Sequence, residues 1–136
     1  LVAHALFVMV YDSTVGLEAS VLYKPVLCAG KARYTQIPTV FFPQTIAEYR
    51  RKLDEFLSAG EVAHPGEFRM NARRVLYSQL FRASLPFGDF LEEDGVWRGY
   101  VRLKDFSADE LLPEKSDTLR VILEGVLKGK PFILDL

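Results

Sequence analysis

Residues 10–30, VYDSTVGLEASVLYKPVLCAG, contain a helix-like segment that joins two apolar segments. The apolar segments, 6–11 and 25–29, are typical of strands that are buried on both faces of a parallel sheet. Between them, 15–23 predicts a helix, which ends at Lys24 because a residue before proline disfavours the α region. A strand, a helix and a strand in about thirty residues predict a right-handed βαβ unit, and therefore an α/β fold.

The rest of the chain predicts mainly helices. Residues 45–59 are amphipathic, with Thr45 and Glu48 spaced as a capping box. Residues 67–85 and 117–127 predict two more helices, 39–42 predict a short strand, and 90–113 are equally typical of strand and loop. The side chains expected to face inward are Ile46, Tyr49, Leu53, Phe56, Leu57, Val75, Leu76, Leu80, Ala83, Leu119, Ile122, Leu123 and Val126. We expect a core in residues 1–60 and a helical extension in 61–136 that packs on it.

The composition is that of one globular domain. The chain has 136 residues, of which 49% are hydrophobic and 26% are charged. Its net charge of -1 gives no electrostatic support for binding nucleic acid. The single cysteine, Cys28, lies in an apolar run, which predicts a buried, reduced thiol and is compatible with the cytoplasm. The longest apolar stretch, 5–11, is far shorter than the ~20 residues of a membrane-spanning helix.

The junction after the first strand carries the strongest chemical signal. A helix begins there with unpartnered N–H groups and the positive end of its dipole, at the sheet edge where ligands usually bind. Ser13 and Thr14 supply hydroxyls, and Gly16 lets a ligand or a neighbouring backbone come close, which suits a phosphate. Glu18 can accept hydrogen bonds from ribose hydroxyls. The alternative is a helix cap with a favourable acidic charge, and neither GxxxxGK[ST] nor GxGxxG is present.

Several stretches resemble the capsule polysaccharide biosynthesis family, whose members are similar to Kdo transferases and other GT-B glycosyltransferases. They are STVGLEA (13–19), KPV (24–26) and AGKARY (29–34). ARRVLYSQLFRASLPFGDFLEEDGVW (72–97) and GYVRLKDFSADELLPE (99–114) resemble the C-terminal extension of such proteins. The resemblance covers most of the chain. It implies a Rossmann-like parallel sheet with flanking helices, as in the C-terminal half of a GT-B fold, followed by a helical extension.

The same resemblance implies a CMP- or UDP-linked sugar as the substrate, with no separate cofactor and no metal. The implied donor contacts are Ser13, Thr14, Val15 and Gly16 for the phosphate, Glu18 for the ribose, and Lys31 and Arg33 in the following loop. The catalytic base and the acceptor half would belong to an N-terminal domain, so we expect this chain to be an inactive fragment and assign no catalytic residue. The implied partners are that domain, a glycan acceptor and, through the parent protein, the inner face of the membrane. The implied location is the cytoplasm.

Two other functions remain open, an epimerase-like nucleotide-sugar enzyme and a non-catalytic α/β module that only assembles with a partner. His4 and His64 are isolated from other ligand types, so they predict no metal site. The remaining polar and aromatic candidates have structural interpretations. These are solvation for Glu92, Glu93 and Asp94, a salt bridge or domain interface for Arg73 and Arg74, and burial under the last helix for Trp97, Tyr100 and Phe106.

Overall fold

A computed structural model describes residues 1–135 as a mixed α/β structure, which confirms the expected class. The α-helices are α1 (Val15–Val21), α2 (Ile46–Ser58), α3 (Gly66–Tyr77) and α4 (Asp117–Lys128). The strands are β1 (Val8–Val10), β2 (Val26–Cys28), β3 (Leu91–Glu93) and β4 (Val101–Leu103). The chain divides into two compact units, Leu1–Tyr77 and Ser78–Leu136.

The first unit is built on the parallel pair β1–β2, in which Val8 aligns with Val26 and Val10 with Cys28. Phe41 adds a single parallel bridge to Leu27, so β2 lies in the middle. All three β2 residues are buried, as a continuous apolar run predicts for a central strand. The predicted order of strand, helix and parallel strand is therefore confirmed.

Two of the strand predictions need correction. β1 covers only three residues, and Met9 is 49% exposed, so this strand is not buried on both faces. Val8 and Val10 on one face pack against the core, whereas Met9 lies on the opposite face and is exposed. The strand predicted at 39–42 is reduced to the bridge at Phe41.

Helix α3 belongs to the first unit, which extends beyond the boundary expected at residue 60. It packs against α1, and Ala72 at the contact is fully buried. The Asn71 side chain donates to the Pro38 carbonyl at 2.9 Å, and Arg69 Nε donates to the Val21 carbonyl at 3.3 Å. Residues 66–77 therefore belong to the first compact unit.

Helix α2 has the predicted capping box but a narrower buried face. The Thr45 hydroxyl accepts from the Glu48 N–H at 3.2 Å, and Glu48 Oε2 accepts from the Thr45 N–H at 3.2 Å. Ile46 and Leu57, both expected to face inward, are 75% and 66% exposed. Phe56 is the buried residue of this helix, because its ring is the one that reaches Phe7 and Phe41.

The helix predicted over 67–85 ends at Tyr77 and is followed by a π-helical turn, Ser78–Arg82. The Ala83 N–H donates to the Ser78 carbonyl at 2.8 Å, which is the five-residue spacing of a π-turn. The wider turn rotates the side chains within and just after it away from the positions that a regular α-helix predicts. Leu80 and Ala83 are consequently exposed, contrary to expectation.

In the second unit, residues 90–113 contain the antiparallel pair β3–β4, which decides the open question between strand and loop. Arg102 Nε donates to Glu92 Oε1 at 2.6 Å across the pair, so Glu92 is an ion-pair partner. Trp97 and Tyr100 are 68% and 66% exposed, contrary to the burial expected for them. The Phe106 ring contacts the ring of Phe90, which is buried.

Helix α4 begins and ends where the sequence predicts but buries a different face. The Ser116 hydroxyl accepts from the Leu119 N–H, and Gly129 ends the helix in the left-handed conformation, with φ +66°. The buried residues are Thr118, Val121 and Gly125. Leu123 and Val126, expected to face inward, are exposed. The face is set by the chain after the helix, since Phe132 packs on Gly125 and leaves no room there for a side chain.

Candidate functional site

The turn between β1 and α1 lies at the carboxyl end of β1, as predicted, and exposes Ser13, Thr14 and Val15. Ser13 already uses the nearest donors. Its carbonyl accepts from the Gly16 N–H at 3.0 Å, and its hydroxyl accepts from the Val15 N–H at 3.3 Å. The two N–H groups implied as phosphate donors are therefore bonded within the turn, whereas the Thr14 side chain makes no cap hydrogen bond.

Gly16 permits a close approach, and the group that approaches is a protein side chain. A Cβ at this position would lie 2.5 Å from Tyr34 Oη and 2.9 Å from Val10 Cγ2. The Tyr34 side chain is itself buried. The space next to Gly16 is thus filled by the tyrosine, and the exposed surface of the turn lies at residues 13–15.

Tyr34 joins the loop that follows β2 to this turn. Its hydroxyl donates to the Ser13 carbonyl at 2.7 Å and lies 3.8 Å from Cys28 Sγ. Burial raises the pKa of the Tyr34 hydroxyl and that of the Cys28 thiol, so both stay protonated near neutral pH. The thiol also lies within hydrogen-bond distance of the Tyr11 and Gly30 carbonyls. Cys28 is therefore the buried, protonated thiol that its apolar run predicts.

The remaining implied donor contacts are exposed and unpaired. Lys31 and Arg33 precede Tyr34 in the loop bonded to Ser13, and neither forms an ion pair within residues 1–135. The Glu18 carboxylate likewise forms no ion pair in that part of the chain and is exposed on α1. The structure thus joins the loop of the two cations to the turn that precedes Glu18, through the bond between Tyr34 and Ser13.

A cavity of about 430 Å³ lies at the same edge of the parallel pair. Tyr11 follows β1, Ala29 follows β2 and Pro43 comes shortly after Phe41, and all three line it. Tyr49 of α2 supplies a second aromatic ring. The sequence interpretation missed this cavity, although residues placed just after each strand could have indicated it.

The N-terminal end of α2 also lines this cavity, and the two N–H groups just before the helix are occupied. Glu48 Oε2 accepts from the Gln44 N–H at 3.0 Å as well as from the Thr45 N–H. The carboxylate therefore already supplies the negative charge that a helix N-terminus favours. The cavity is consequently better suited to a ring or a sugar than to a phosphate.

His64, predicted to lie in a turn, is part of a buried polar cluster. The Ser20 hydroxyl lies 2.6 Å from the Thr39 carbonyl and 3.1 Å from His64 Nε2, and all three residues are buried. The Tyr23 and Phe68 rings lie 4.8 Å and 6.0 Å from the imidazole, measured between ring centroids. The described residues contain no group of three or more histidine, cysteine or acidic side chains arranged to hold a metal.

Lowering the pH is expected to destabilise the first unit through His64. Burial lowers the pKa of His64 below the ordinary value of about 6.5. The unfolded chain therefore takes up this proton at a higher pH than the folded chain does. The stability contributed by the neutral imidazole is complete above about pH 6.5 and is lost as the pH falls through the folded-state pKa.

Urea unfolding at a series of pH values tests this expectation, together with an NMR titration of the His64 ring. The variant His64→Gln should lose most of the dependence between about pH 7 and about pH 5, since carboxyl groups titrate mainly below that range. A titration midpoint for His64 at or above about 6.5 would contradict the expectation.

Among the residues described, none of the helices combines the length and the apolar character needed to span a lipid bilayer. In comparisons with known proteins, no family model, no curated protein and no solved structure matches this chain at a significant level.

Proposed function

We propose that this chain is the nucleotide-sugar-binding part of a GT-B-type glycosyltransferase that acts in capsule or surface polysaccharide synthesis. The observation that carries the proposal is the hydrogen bond from Tyr34 to Ser13. It joins the loop containing Lys31 and Arg33 to the exposed turn that leads to Glu18. Hydroxyls, cations and a free carboxylate are thus supplied along one sheet edge, as a phosphorylated ribose requires.

In this arrangement the donor phosphate is held mainly by side chains. Ser13 and Thr14 donate from their hydroxyls, and Lys31 and Arg33 neutralise the negative charge. The Val15 N–H joins them only when the Ser13 hydroxyl rotates away from it, because the two are bonded to each other at 3.3 Å. Glu18 accepts from the ribose hydroxyls, and the cavity that contains Tyr11 and Tyr49 receives the base or the sugar.

The proposed reaction is displacement at the anomeric carbon of the activated sugar. The leaving nucleotide gains negative charge, which the two cations and the positive end of α1 stabilise. We assign the acceptor glycan and the catalytic base to the N-terminal half of a GT-B fold. In this proposal the present chain, with a Rossmann-like sheet, is the C-terminal half. Because nucleotide sugars are cytoplasmic, the proposed location is the cytoplasm. The parent protein would hold the chain at the inner face of the membrane.

Nucleotide titration tests this proposal on the full chain. We expect CMP or UDP to raise the free energy of unfolding by about 2.7 kcal/mol at a hundredfold excess over its dissociation constant. Glu18→Ala should weaken ribonucleotide binding about tenfold or more, since a hydrogen bond to a charged group is lost. It should leave the binding of the 2′,3′-dideoxynucleotide, which lacks both hydroxyls, nearly unchanged. Ser13→Ala should weaken both nucleotides equally.

The matched control is Glu61→Gln, a change at another exposed carboxylate that should leave nucleotide binding unchanged. An epimerase-like enzyme would also bind the nucleotide, and it would then convert the sugar without a glycan acceptor. A chain that shows no thermal or chemical-shift response to either nucleotide would instead be a non-catalytic assembly module.

A further inference from the structure

A second cavity, of about 410 Å³, lies at the opposite edge of the parallel pair. Leu6 and Pro25, which precede β1 and β2, line it together with residues 61–64. All of its lining residues belong to the first unit, and none is a proposed nucleotide contact. Its chemistry therefore has to be worked out from its own polar groups.

The hydrogen bonds of Ser20 fix the tautomer of His64. The Thr39 carbonyl can only accept, so the single hydroxyl proton of Ser20 is donated to it at 2.6 Å. Ser20 Oγ must then accept from His64 Nε2, which lies 3.1 Å away and carries the ring proton. Because burial keeps the imidazole neutral, Nδ1 is an acceptor with a free lone pair.

His64 Nδ1 is buried and has no hydrogen-bond partner within residues 1–135. A buried acceptor without a donor is unfavourable, and such a group calls for an explanation. Tyr23, whose ring stacks on the imidazole, also lines the cavity and is 52% exposed. Tyr23 and His64 thus form one wall of this cavity.

Two charges of opposite sign complete the cavity. The Glu61 carboxylate lines it and has no ion-pair partner in the described part of the chain. The Lys24 ammonium also lines it and uses one donor on the Ala5 carbonyl, at 3.2 Å, so two donors remain. The cavity therefore offers an anion and a neutral acceptor together with a cation.

We propose that this cavity binds a small zwitterion of the α-amino acid class. The ligand ammonium donates to His64 Nδ1 and to the Glu61 carboxylate, and the ligand carboxylate accepts from Lys24. A ligand hydroxyl has a single proton and can satisfy only one of the two acceptors. A simple amine would leave the Lys24 charge facing a second cation, whereas a zwitterion matches all three groups.

Glycine and trimethylglycine are a matched pair of probes, because both are zwitterions and only glycine has N–H donors. We expect a titration of glycine into the full chain, followed by NMR, to shift the His64 Nδ1 signal in a saturable manner. Glycine is added to about 0.1 M, a hundredfold above a millimolar dissociation constant. Trimethylglycine should leave the signal unchanged.

Variants at exposed positions keep the test independent of folding. Glu61→Gln should weaken glycine binding about tenfold or more, because it removes a charge-assisted hydrogen bond. Glu18→Gln, at the nucleotide site, should have no effect. The proposal is overturned if trimethylglycine causes the same shift or if Glu61→Gln binds glycine normally. It is also overturned if glycine causes no saturable shift, which is the result expected when only water contacts His64 Nδ1. None of these results depends on nucleotide binding.

Discussion

Replacing Phe56 with alanine is expected to lower the free energy of unfolding of the first unit by about 3–5 kcal/mol. The Phe56 side chain is 3% exposed. Its ring meets those of Phe7 and Phe41 edge to face, each at a centroid distance of 5.1 Å. Truncation removes both contacts and leaves a cavity between α2 and the rings of Phe7 and Phe41.

The matched control for Phe56→Ala is Leu57→Ala, at the next position of the same helix. Leu57 is 66% exposed, so its loss should change the stability by no more than about 0.5 kcal/mol. Amide exchange of β2 is the suitable measurement. Equal decreases in the free energy of unfolding for the two variants would show that Phe56 does not anchor α2.

Replacing Gly16 with alanine is expected to lower the free energy of unfolding by about 2–3 kcal/mol. The added methyl group would lie 2.5 Å from Tyr34 Oη and 2.9 Å from Val10 Cγ2. Both neighbours are held in place, the tyrosine by its bond to Ser13 and the valine by its strand. The gain in helix propensity from glycine to alanine, about 1 kcal/mol, does not offset this overlap.

Gly66→Ala is the control for Gly16→Ala, because no atom lies within 4 Å of the added methyl group at the start of α3. That variant should be as stable as the original chain or slightly more so. Adding Tyr34→Phe to Gly16→Ala removes the nearest overlapping atom, so the double variant should lose less than the sum of the two single losses. Additive losses in urea unfolding would show that the methyl group does not meet the tyrosine.

Local sequence signals predicted the elements well. The continuous apolar run of β2, the capping box of Thr45 and Glu48, and the end of α4 at Gly129 each depend on neighbours within a few residues. The wrong predictions concern which face is buried. Val126 is exposed because Phe132 occupies the space at Gly125, and Leu80 is exposed because it lies within a π-turn. Periodicity along one helix contains no information about either neighbour.

In the candidate site, too, the features that depend on neighbouring residues could be predicted, and those that depend on distant residues could not. Its exposed members, Ser13 and Glu18, are predicted because they follow an apolar, strand-like run and lie at the start of a helix. The role of Tyr34 could not be predicted, since its hydroxyl contacts a carbonyl 21 positions earlier in the chain. Its burial also changes the role of Gly16, which accommodates a phenol instead of a ligand. The tautomer of His64 likewise depends on Ser20, 44 positions away.

The hydrogen bond from Tyr34 to Ser13 has an energetic consequence for any ligand that binds at the carboxyl edge of the parallel pair. The turn at Ser13 and the loop that contains Tyr34 would otherwise fluctuate independently. The hydrogen bond joins them when the chain folds, so their conformational entropy is lost before a ligand binds. A variant such as Tyr34→Phe would postpone that loss to the moment of association. The variant should therefore slow ligand association and weaken the binding affinity, even though it removes no atom that contacts the ligand.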